Sequence, residues 1–151
     1  MPDNIKSLLH QQCLIYVQKR IQEAENAFRD AEASGNDDTK SSAGDKYETG
    51  REMMQQEKNR ITGQLSEANK LMIALNHIST KGHSSVADTG SLVITDNAKF
   101  YLSISAGTLN VNGAVYIAVS PASPIGLKLK GLKAGDSFEL YGKKYKVGQV
   151  L

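Results

Sequence analysis

The stretch Gly35-Asn-Asp-Asp-Thr-Lys-Ser-Ser-Ala-Gly-Asp-Lys-Tyr47 separates two long segments in which apolar residues recur every three or four positions. The recurring positions before it are Leu14, Val17, Ile21, Ala24, Phe28 and Ala31. The recurring positions after it are Met54, Lys58, Ile61, Leu65, Ala68, Met72 and Leu75. This spacing places each set on one face of a helix. The sequence therefore predicts an antiparallel hairpin of two helices with acidic residues at its tip.

Capping signals predict where these helices begin and end. Asp3 or Asn4 can cap the first helix, and Gly35 can end it in the left-handed conformation. Its roughly thirty residues would extend about 45 Å, since each helical residue rises 1.5 Å. Ser42 with Asp45 is a variant capping box that opens the second helix. We expect the second helix to end at about residue 78.

One register pairs the apolar faces of the two helices well. When opposed residues have numbers that add to about 78, Ala24 faces Met54 and Val17 faces Ile61. Small residues then meet large ones, as dense packing requires. The sequence therefore predicts this register for the hairpin.

The residue pattern changes after the polar stretch 79–89. Short runs rich in β-branched and aromatic residues predict strands near 92–95, 100–104, 109–111, 114–119, 138–141 and 144–147. Asn112-Gly113 predicts a two-residue type I′ turn, and Gly142-Lys143 predicts a second turn. The segment 125–133 between the strands is either a short helix or a loop.

These patterns together predict an α+β protein. An N-terminal antiparallel two-helix coiled-coil hairpin would occupy residues 1–78, with its acidic tip at 35–47. A linker would occupy 79–89, and a small β-rich domain would occupy 90–151.

Charge is distributed unevenly along the chain, which has 151 residues and a net charge of +2. Residues 1–80 contain ten lysines and arginines against twelve acids, whereas residues 81–151 contain eight against four. The basic second part favours a partner that carries anionic groups. No apolar run is long enough for a membrane span, and the N-terminus does not resemble a signal peptide. The single cysteine, Cys13, is typical of a reducing cytosol and predicts a cytoplasmic protein.

Asp37, Asp38 and Asp45 are the candidate functional acids. At the tip of a long hairpin, their carboxylates could supply ligands to Mg²⁺ or enter a basic cavity. They could equally be solvated turn residues, with Asp45 favoured by the positive N-terminus of the second helix. Residue types alone leave both interpretations open.

Other kinds of site find little support in the sequence. His10, His77 and His83 lack the spacing of a zinc site. Cys13 is better explained as a core-edge residue than as a nucleophile, and the phosphate-binding glycine motifs are absent. Several lysines could form one basic face for an acidic or nucleic-acid partner, or simply a solvated surface. They are Lys128, Lys130, Lys133, Lys143, Lys144 and Lys146.

The segment Ser123–Asp136 has the sequence S-P-I-G-L-K-L-K-G-L-K-A-G-D. It closely resembles the C-terminal signature of the Gre-type transcript cleavage factors of bacterial RNA polymerase, S-P-(L/I)-G-x-x-L-x-G-x-x-x-G-D, and matches it without a gap. The hairpin is also similar, because Tyr47 precedes Arg51-Glu52 as in that family's Y-x-x-x-R-E. Asp38-Thr39-Lys40 resembles the family's D-x-K at the tip. The resemblance covers most of the chain and is most specific at its C-terminal signature.

The resemblance implies an FKBP-like C-terminal domain that docks at the rim of the secondary channel of RNA polymerase. The hairpin tip would then reach the polymerase active centre and promote Mg²⁺-dependent cleavage of backtracked RNA. On this hypothesis the protein is not an enzyme on its own and binds no cofactor alone. It contacts RNA and DNA only indirectly, within the elongation complex, and has no membrane partner. The residues implied in partner binding are Ser123, Pro124, Ile125, Gly126, Lys128 and Lys130.

The resemblance also implies that the tip carboxylates act in trans on the polymerase reaction. Asp38 is the first candidate ligand of Mg²⁺ supplied in the polymerase, and Asp37 or Asp45 is the second acid. The chain departs from the family at Ser41, where a glutamate normally supplies the second catalytic acid. This departure keeps open a second hypothesis, a secondary-channel regulator that does not cleave. A generic coiled-coil adaptor is a third.

Overall fold

The structure of the chain is a computed structural model. It describes the backbone of residues 2–38, 44–79 and 85–151, and side chains within 5–33, 50–79 and 85–151. No helix in these ranges is both long and apolar enough to cross a membrane.

Two long helices come first, followed by a sheet that includes one short helix. The helices are α1 (Pro2–Asp38) and α2 (Gly44–Asn76). The later elements are β1 (Leu92–Thr95), β2 (Lys99–Leu102), β3 (Gly107–Val111), β4 (Ala114–Val119), α3 (Pro124–Leu129), β5 (Ser137–Leu140) and β6 (Lys143–Val150). This order confirms the predicted α+β class, and α3 shows that the ambiguous segment near 125–133 begins as a helix.

The first helix is longer than predicted at both of its ends. It begins at Pro2, before the expected caps, and continues through Gly35 to Asp38. Proline fits the first helical position because its missing N–H would have no partner inside the helix. A glycine within a helix costs about 1 kcal/mol relative to alanine, and α1 continues past Gly35 despite this cost. Ser42, the predicted cap of α2, lies outside the described residues.

Side-chain contacts in the hairpin show that the predicted register is wrong. Lys58 Nζ lies 4.0 Å from the Glu32 carboxylate and 5.8 Å from the centre of the Phe28 ring. The predicted register instead places Lys58 opposite Arg20, roughly two to three helical turns away. Because α1 extends beyond Gly35, the reversal of the chain lies later than assumed and every pair shifts. The residues that pack here are Ala24, Ala31 and Ile61, with Ala27, Phe28, Met54 and Leu65 beside them.

The chain divides into two compact units. One unit is Val17–Met72, and the other combines Met1–Tyr16 with Ile73–Leu151. The start of α1 and the end of α2 therefore belong to the unit that contains the sheet. Part of the predicted linker belongs there too, because Ala87 is buried in the core of the sheet and its N–H donates to the Leu132 carbonyl at 2.7 Å.

The six strands form one mixed sheet in the order β3-β4-β2-β1-β6-β5. All neighbouring strands are antiparallel except β2 and β4, which are parallel. Asn112 and Gly113 have φ angles of 54° and 82° between β3 and β4, which confirms the predicted type I′ turn. The second turn lies one residue earlier than predicted. It is formed by Tyr141 and Gly142, because Leu140 pairs directly with Lys143.

Both faces of the sheet are apolar, and a different helix covers each face. Phe100 and Val147 lie on the α3 face, where they form a core with Leu129 of α3. Tyr101 points to the opposite side from Phe100, because successive side chains of a strand alternate. The hydroxyl of Tyr101 lies 3.2 Å from Nδ1 of His10. The start of α1 therefore lies against this second face, the α1 face.

Candidate functional site

The segment that resembles the Gre-type signature begins by capping α3. The Ser123 hydroxyl accepts a hydrogen bond from the Gly126 N–H at 3.1 Å and donates one to the Ser120 carbonyl at 2.7 Å. Pro124 occupies the start of the helix, where no N–H is needed. Ser123 and Pro124 therefore fix the position at which the chain leaves β4 and turns into α3.

Gly126 lies where α3 comes closest to the preceding loop. A Cβ atom at this position would lie 1.9 Å from the Ser120 carbonyl oxygen and 2.9 Å from the Ser120 carbonyl carbon. Both are backbone atoms, so the clash could not be relieved by rotating a neighbouring side chain out of the way. Gly126 is therefore required for the close packing of α3 on the end of β4.

The second half of the signature closes the connection from α3 to β5. Gly131 has a φ of 89° and donates its N–H to the Ala87 carbonyl at 2.8 Å. The Asp136 carboxylate accepts the Lys133 N–H at 3.0 Å, and Gly135, with a φ of 97°, donates to the Val147 carbonyl at 2.8 Å. These bonds attach the loop to the rest of the sheet unit.

The six residues predicted to bind a partner therefore separate into two groups. Ser123 and Gly126 serve the local fold, and Ile125 packs against the core on the α3 face. Pro124, Lys128 and Lys130 are exposed. Leu127, which the sequence did not single out, is also exposed, at 66%. The structure thus leaves an outer surface, on α3 and the residue that follows it, made of two apolar and two basic residues.

The predicted tip acids occupy defined places in the helices. Asp37 and Asp38 are the last two residues of α1, and Asp45 is the second residue of α2. Their side chains lie outside the described residues. Among the described residues, no group of three or more histidines, cysteines or acids is arranged to hold a metal ion.

A polar cluster that the sequence did not predict lies between α1 and the sheet. Cys13 Sγ lies 3.6 Å from Ser103 Oγ, and both residues are buried. The His10 ring contacts the Tyr101 hydroxyl, and the Gln12 amide donates to the Asn110 carbonyl at 2.8 Å. The cluster joins residues about ninety positions apart, so no local spacing could reveal it. It attaches the start of α1 to β2 and β3.

Burial shifts the pKa of each titratable member of this cluster towards its neutral form. It lowers the pKa of His10. It raises the pKa of the Cys13 thiol, and the hydrogen bond with Ser103 partly offsets that effect. Burial, followed by the influence of Cys13, raises the pKa of Tyr101 above its usual range. A buried neutral thiol is a poor nucleophile, which supports the prediction that Cys13 is a core residue.

The lowered pKa of His10 predicts that the protein loses stability in mild acid. The unfolded chain binds a proton at His10 more readily than the folded protein does. The stabilising contribution is therefore complete above the unfolded pKa of about 6.5 and is lost as the pH falls from that value towards the folded pKa. We expect the free energy of unfolding, measured with urea, to decrease as the pH falls through and below about 6.5.

His10→Gln is the matched variant for this prediction, because it removes the titrating ring and keeps the other two histidines. Its free energy of unfolding should depend less on pH than that of the natural protein over the same range. Equal pH dependence of the two proteins would show that His10 does not carry the effect.

Comparison of the chain with protein-family models, with curated proteins and with solved structures finds no match.

Proposed function

We propose that the chain is a Gre-type factor that binds bacterial RNA polymerase in the cytoplasm and promotes cleavage of backtracked RNA. In this proposal the sheet unit, with α3, is an FKBP-like domain that docks at the secondary channel. The hairpin places its tip acids in the polymerase active centre.

The signature at 123–136 carries this proposal. Its match is gap-free, and its fixed residues have separate physical tasks in the fold. Ser123 caps α3, Gly126 allows the close approach to Ser120, and Asp136 closes the turn before β5. The pattern therefore supports a shared fold for this domain, and it leaves the exposed side of α3 for docking.

The positions of the tip acids support Asp38 and Asp37 as the functional pair. Negative charge is unfavourable at the C-terminal end of a helix and favourable at the N-terminal end. Asp37 and Asp38 end α1, and its last turn contains no basic residue. Helix stability therefore gives no reason for acids there, whereas it does explain Asp45 near the start of α2. Two carboxylates also suit Mg²⁺, which prefers oxygen ligands and keeps several waters.

The chemistry of the proposed reaction would come from Mg²⁺ in the polymerase. A divalent ion there stabilises charge on the attacking and leaving oxygens of phosphodiester hydrolysis. Asp37 and Asp38 would hold the ion in place from the hairpin tip.

The experiment that tests the proposal uses stalled, backtracked elongation complexes. The protein is added with Mg²⁺, and shortening of the RNA from its 3′ end is followed over time. We expect cleavage to be faster than in the polymerase alone. Binding to the polymerase is measured in parallel, and absence of binding would contradict the proposal and favour an adaptor role.

A second candidate function is a regulator that occupies the secondary channel without cleavage. Ser41 favours it, because the family's second acid is absent from that position. Such a protein would bind the same complexes, leave the RNA length unchanged and compete with a cleaving factor. Binding without shortening would therefore replace the first candidate with this one.

A further inference from the structure

The turn between β5 and β6 holds a tyrosine in a conformation that tyrosine rarely adopts. Tyr141 has a φ of 53°, in the left-handed region. Bulky side chains are disfavoured there, and type I′ turns strongly prefer asparagine, aspartate or glycine at this position. The same chain follows that preference at its other two-residue turn, where Asn112 has a φ of 54°. The fold therefore does not require an aromatic residue at 141.

The ring of Tyr141 also gains nothing from packing. The residue is 86% exposed, more than any other exposed large apolar residue of the described ranges. By contrast, Phe138 and Tyr145 of the same hairpin stack on each other at 4.9 Å and pack against the core. Tyr141 thus costs conformational energy and buries little surface, a combination that is typical of residues kept for function.

Three cationic side chains follow this exposed ring in the same hairpin. Residues 137–146 contain three lysines, at 143, 144 and 146, against one acid, Glu139. All three lysines are exposed. Lys143 Nζ lies 5.7 Å from the centre of the Tyr145 ring, on the α3 face of the hairpin. Lys144 and Lys146 alternate with Tyr145 and therefore lie on the other face.

Some anionic groups also lie close to this hairpin. Glu139 pairs across the strands with Lys144, and the Asp96 carboxylate accepts the Lys146 N–H at 2.9 Å. The Lys146 ammonium lies on an exposed side chain, so the Asp96 bond to its backbone leaves that group able to meet a partner. Lys143 has no acid at its cross-strand position, because it pairs with Leu140.

We propose that the β5–β6 hairpin binds single-stranded nucleic acid through Tyr141, Lys143, Lys144 and Lys146. A base would stack on the Tyr141 ring, and the lysines would contact the flanking phosphates. Exposed aromatic rings beside positive charge are the usual means by which proteins hold single strands without reading their sequence. The residues next to Tyr141 favour this partner over an acidic protein, because a protein interface normally surrounds its aromatic anchor with further apolar contacts.

This inference does not rest on the proposed function. Binding of an isolated oligonucleotide requires no polymerase, and docking on the polymerase requires no oligonucleotide. Failure of one would therefore leave the other standing.

The test measures fluorescence anisotropy of a labelled oligothymidylate of about ten nucleotides, a length within the usual range of single-strand sites. We expect Tyr141→Asn to weaken binding about tenfold, the size expected from loss of one stacked base. The same substitution should keep or raise the midpoint of thermal unfolding, because asparagine accepts the left-handed conformation. If oligonucleotide binding weakens while the midpoint of thermal unfolding does not fall, Tyr141 contacts the ligand and does not merely support the fold.

The lysines are tested through the salt dependence of binding. Each phosphate contact to a single strand contributes about 0.7 to the slope of log affinity against log salt concentration. The double variant Lys143→Gln/Lys144→Gln should therefore reduce that slope by about 1.4. Its matched control is Lys19→Gln/Lys70→Gln, which removes the same charge from exposed positions of α1 and α2 and should leave the slope nearly unchanged.

Three results would overturn the proposal. The first is absence of oligonucleotide binding at low salt. The second is unchanged affinity in Tyr141→Asn together with equal competition by polyglutamate, which would assign the lysines to an acidic protein partner instead. The third is an equal reduction of the salt slope in Lys143→Gln/Lys144→Gln and in Lys19→Gln/Lys70→Gln, which would count against a defined site on the β5–β6 hairpin.

Discussion

Gly126→Ala is expected to lower the free energy of unfolding of the sheet unit by about 3 kcal/mol or more. The new Cβ would lie 1.9 Å from the Ser120 carbonyl oxygen and 3.0 Å from the Pro121 carbonyl carbon. Neither atom can move without moving the loop after β4. The alternative is displacement of α3, which would withdraw Leu129 from the core on the α3 face.

Gly63→Ala is the matched control, because it makes the same chemical change in the middle of α2. Apart from the adjacent residues and nearby backbone of α2 itself, no atom of the described residues lies within 4 Å of the Cβ that it would add. This variant should raise stability by up to about 1 kcal/mol, since alanine is the better helix former. Both variants can be followed by circular dichroism during urea unfolding. A Gly126→Ala protein as stable as the natural one would show that α3 does not pack as closely as described.

The sequence predicted the elements whose residues carry a local pattern. The two helices, the strands and the Asn112-Gly113 turn all follow from spacing or from one favoured dipeptide. Tyr141 shows the limit of this reasoning. Nothing in the residue types indicates that a tyrosine takes the left-handed position, so the sequence predicts the second turn one residue too late. Only the pairing of Leu140 with Lys143 fixes it.

The register of the hairpin could not be predicted because it depends on where the chain reverses. A glycine at position 35 suggested an early end for α1, and that error displaced every predicted pair. Lys58 is the better guide to the register, because in the structure it contacts Phe28 and Glu32. A lysine on the apolar face of a helix needs a partner on the facing helix. Placing Lys58 opposite an acid and an aromatic ring of α1 selects a register in which the numbers of opposed residues add to more than 78.

The roles of the residues in the candidate site could not be predicted from the sequence. The pattern at 123–136 singles out a segment, and sequence alone could not separate the residues that build α3 from those that face solvent. That separation depends on close contacts, such as Gly126 with Ser120, between backbone atoms that a pattern does not represent. The cluster of His10, Cys13 and Tyr101 was missed for a similar reason, since it exists only after α1 meets the sheet.

Asp37→Asn/Asp38→Asn is expected to reduce the rate of transcript cleavage at least about 100-fold, the usual loss when a charge-stabilising group is removed from a reaction centre. The substitution removes two negative charges from the end of α1 with almost no change in side-chain shape. Binding to the polymerase should therefore persist, because the proposed docking residues lie in the sheet unit. Helix stability should rise slightly, since negative charge is unfavourable at a helix C-terminus.

The measurement is the single-turnover rate of RNA shortening in backtracked complexes at saturating protein and Mg²⁺, with polymerase binding measured by competition. Asp30→Asn is the control, because Asp30 is an exposed acid of α1 away from the tip, and its loss should leave the rate unchanged. Asp45→Asn should retain most of the cleavage, since Asp45 already has a role in favouring the start of α2. Full cleavage by the double variant, or its loss in Asp45→Asn alone, would refute the assignment of Asp37 and Asp38. A loss that higher Mg²⁺ concentration partly restores would support them as ligands, because weaker coordination is offset by mass action.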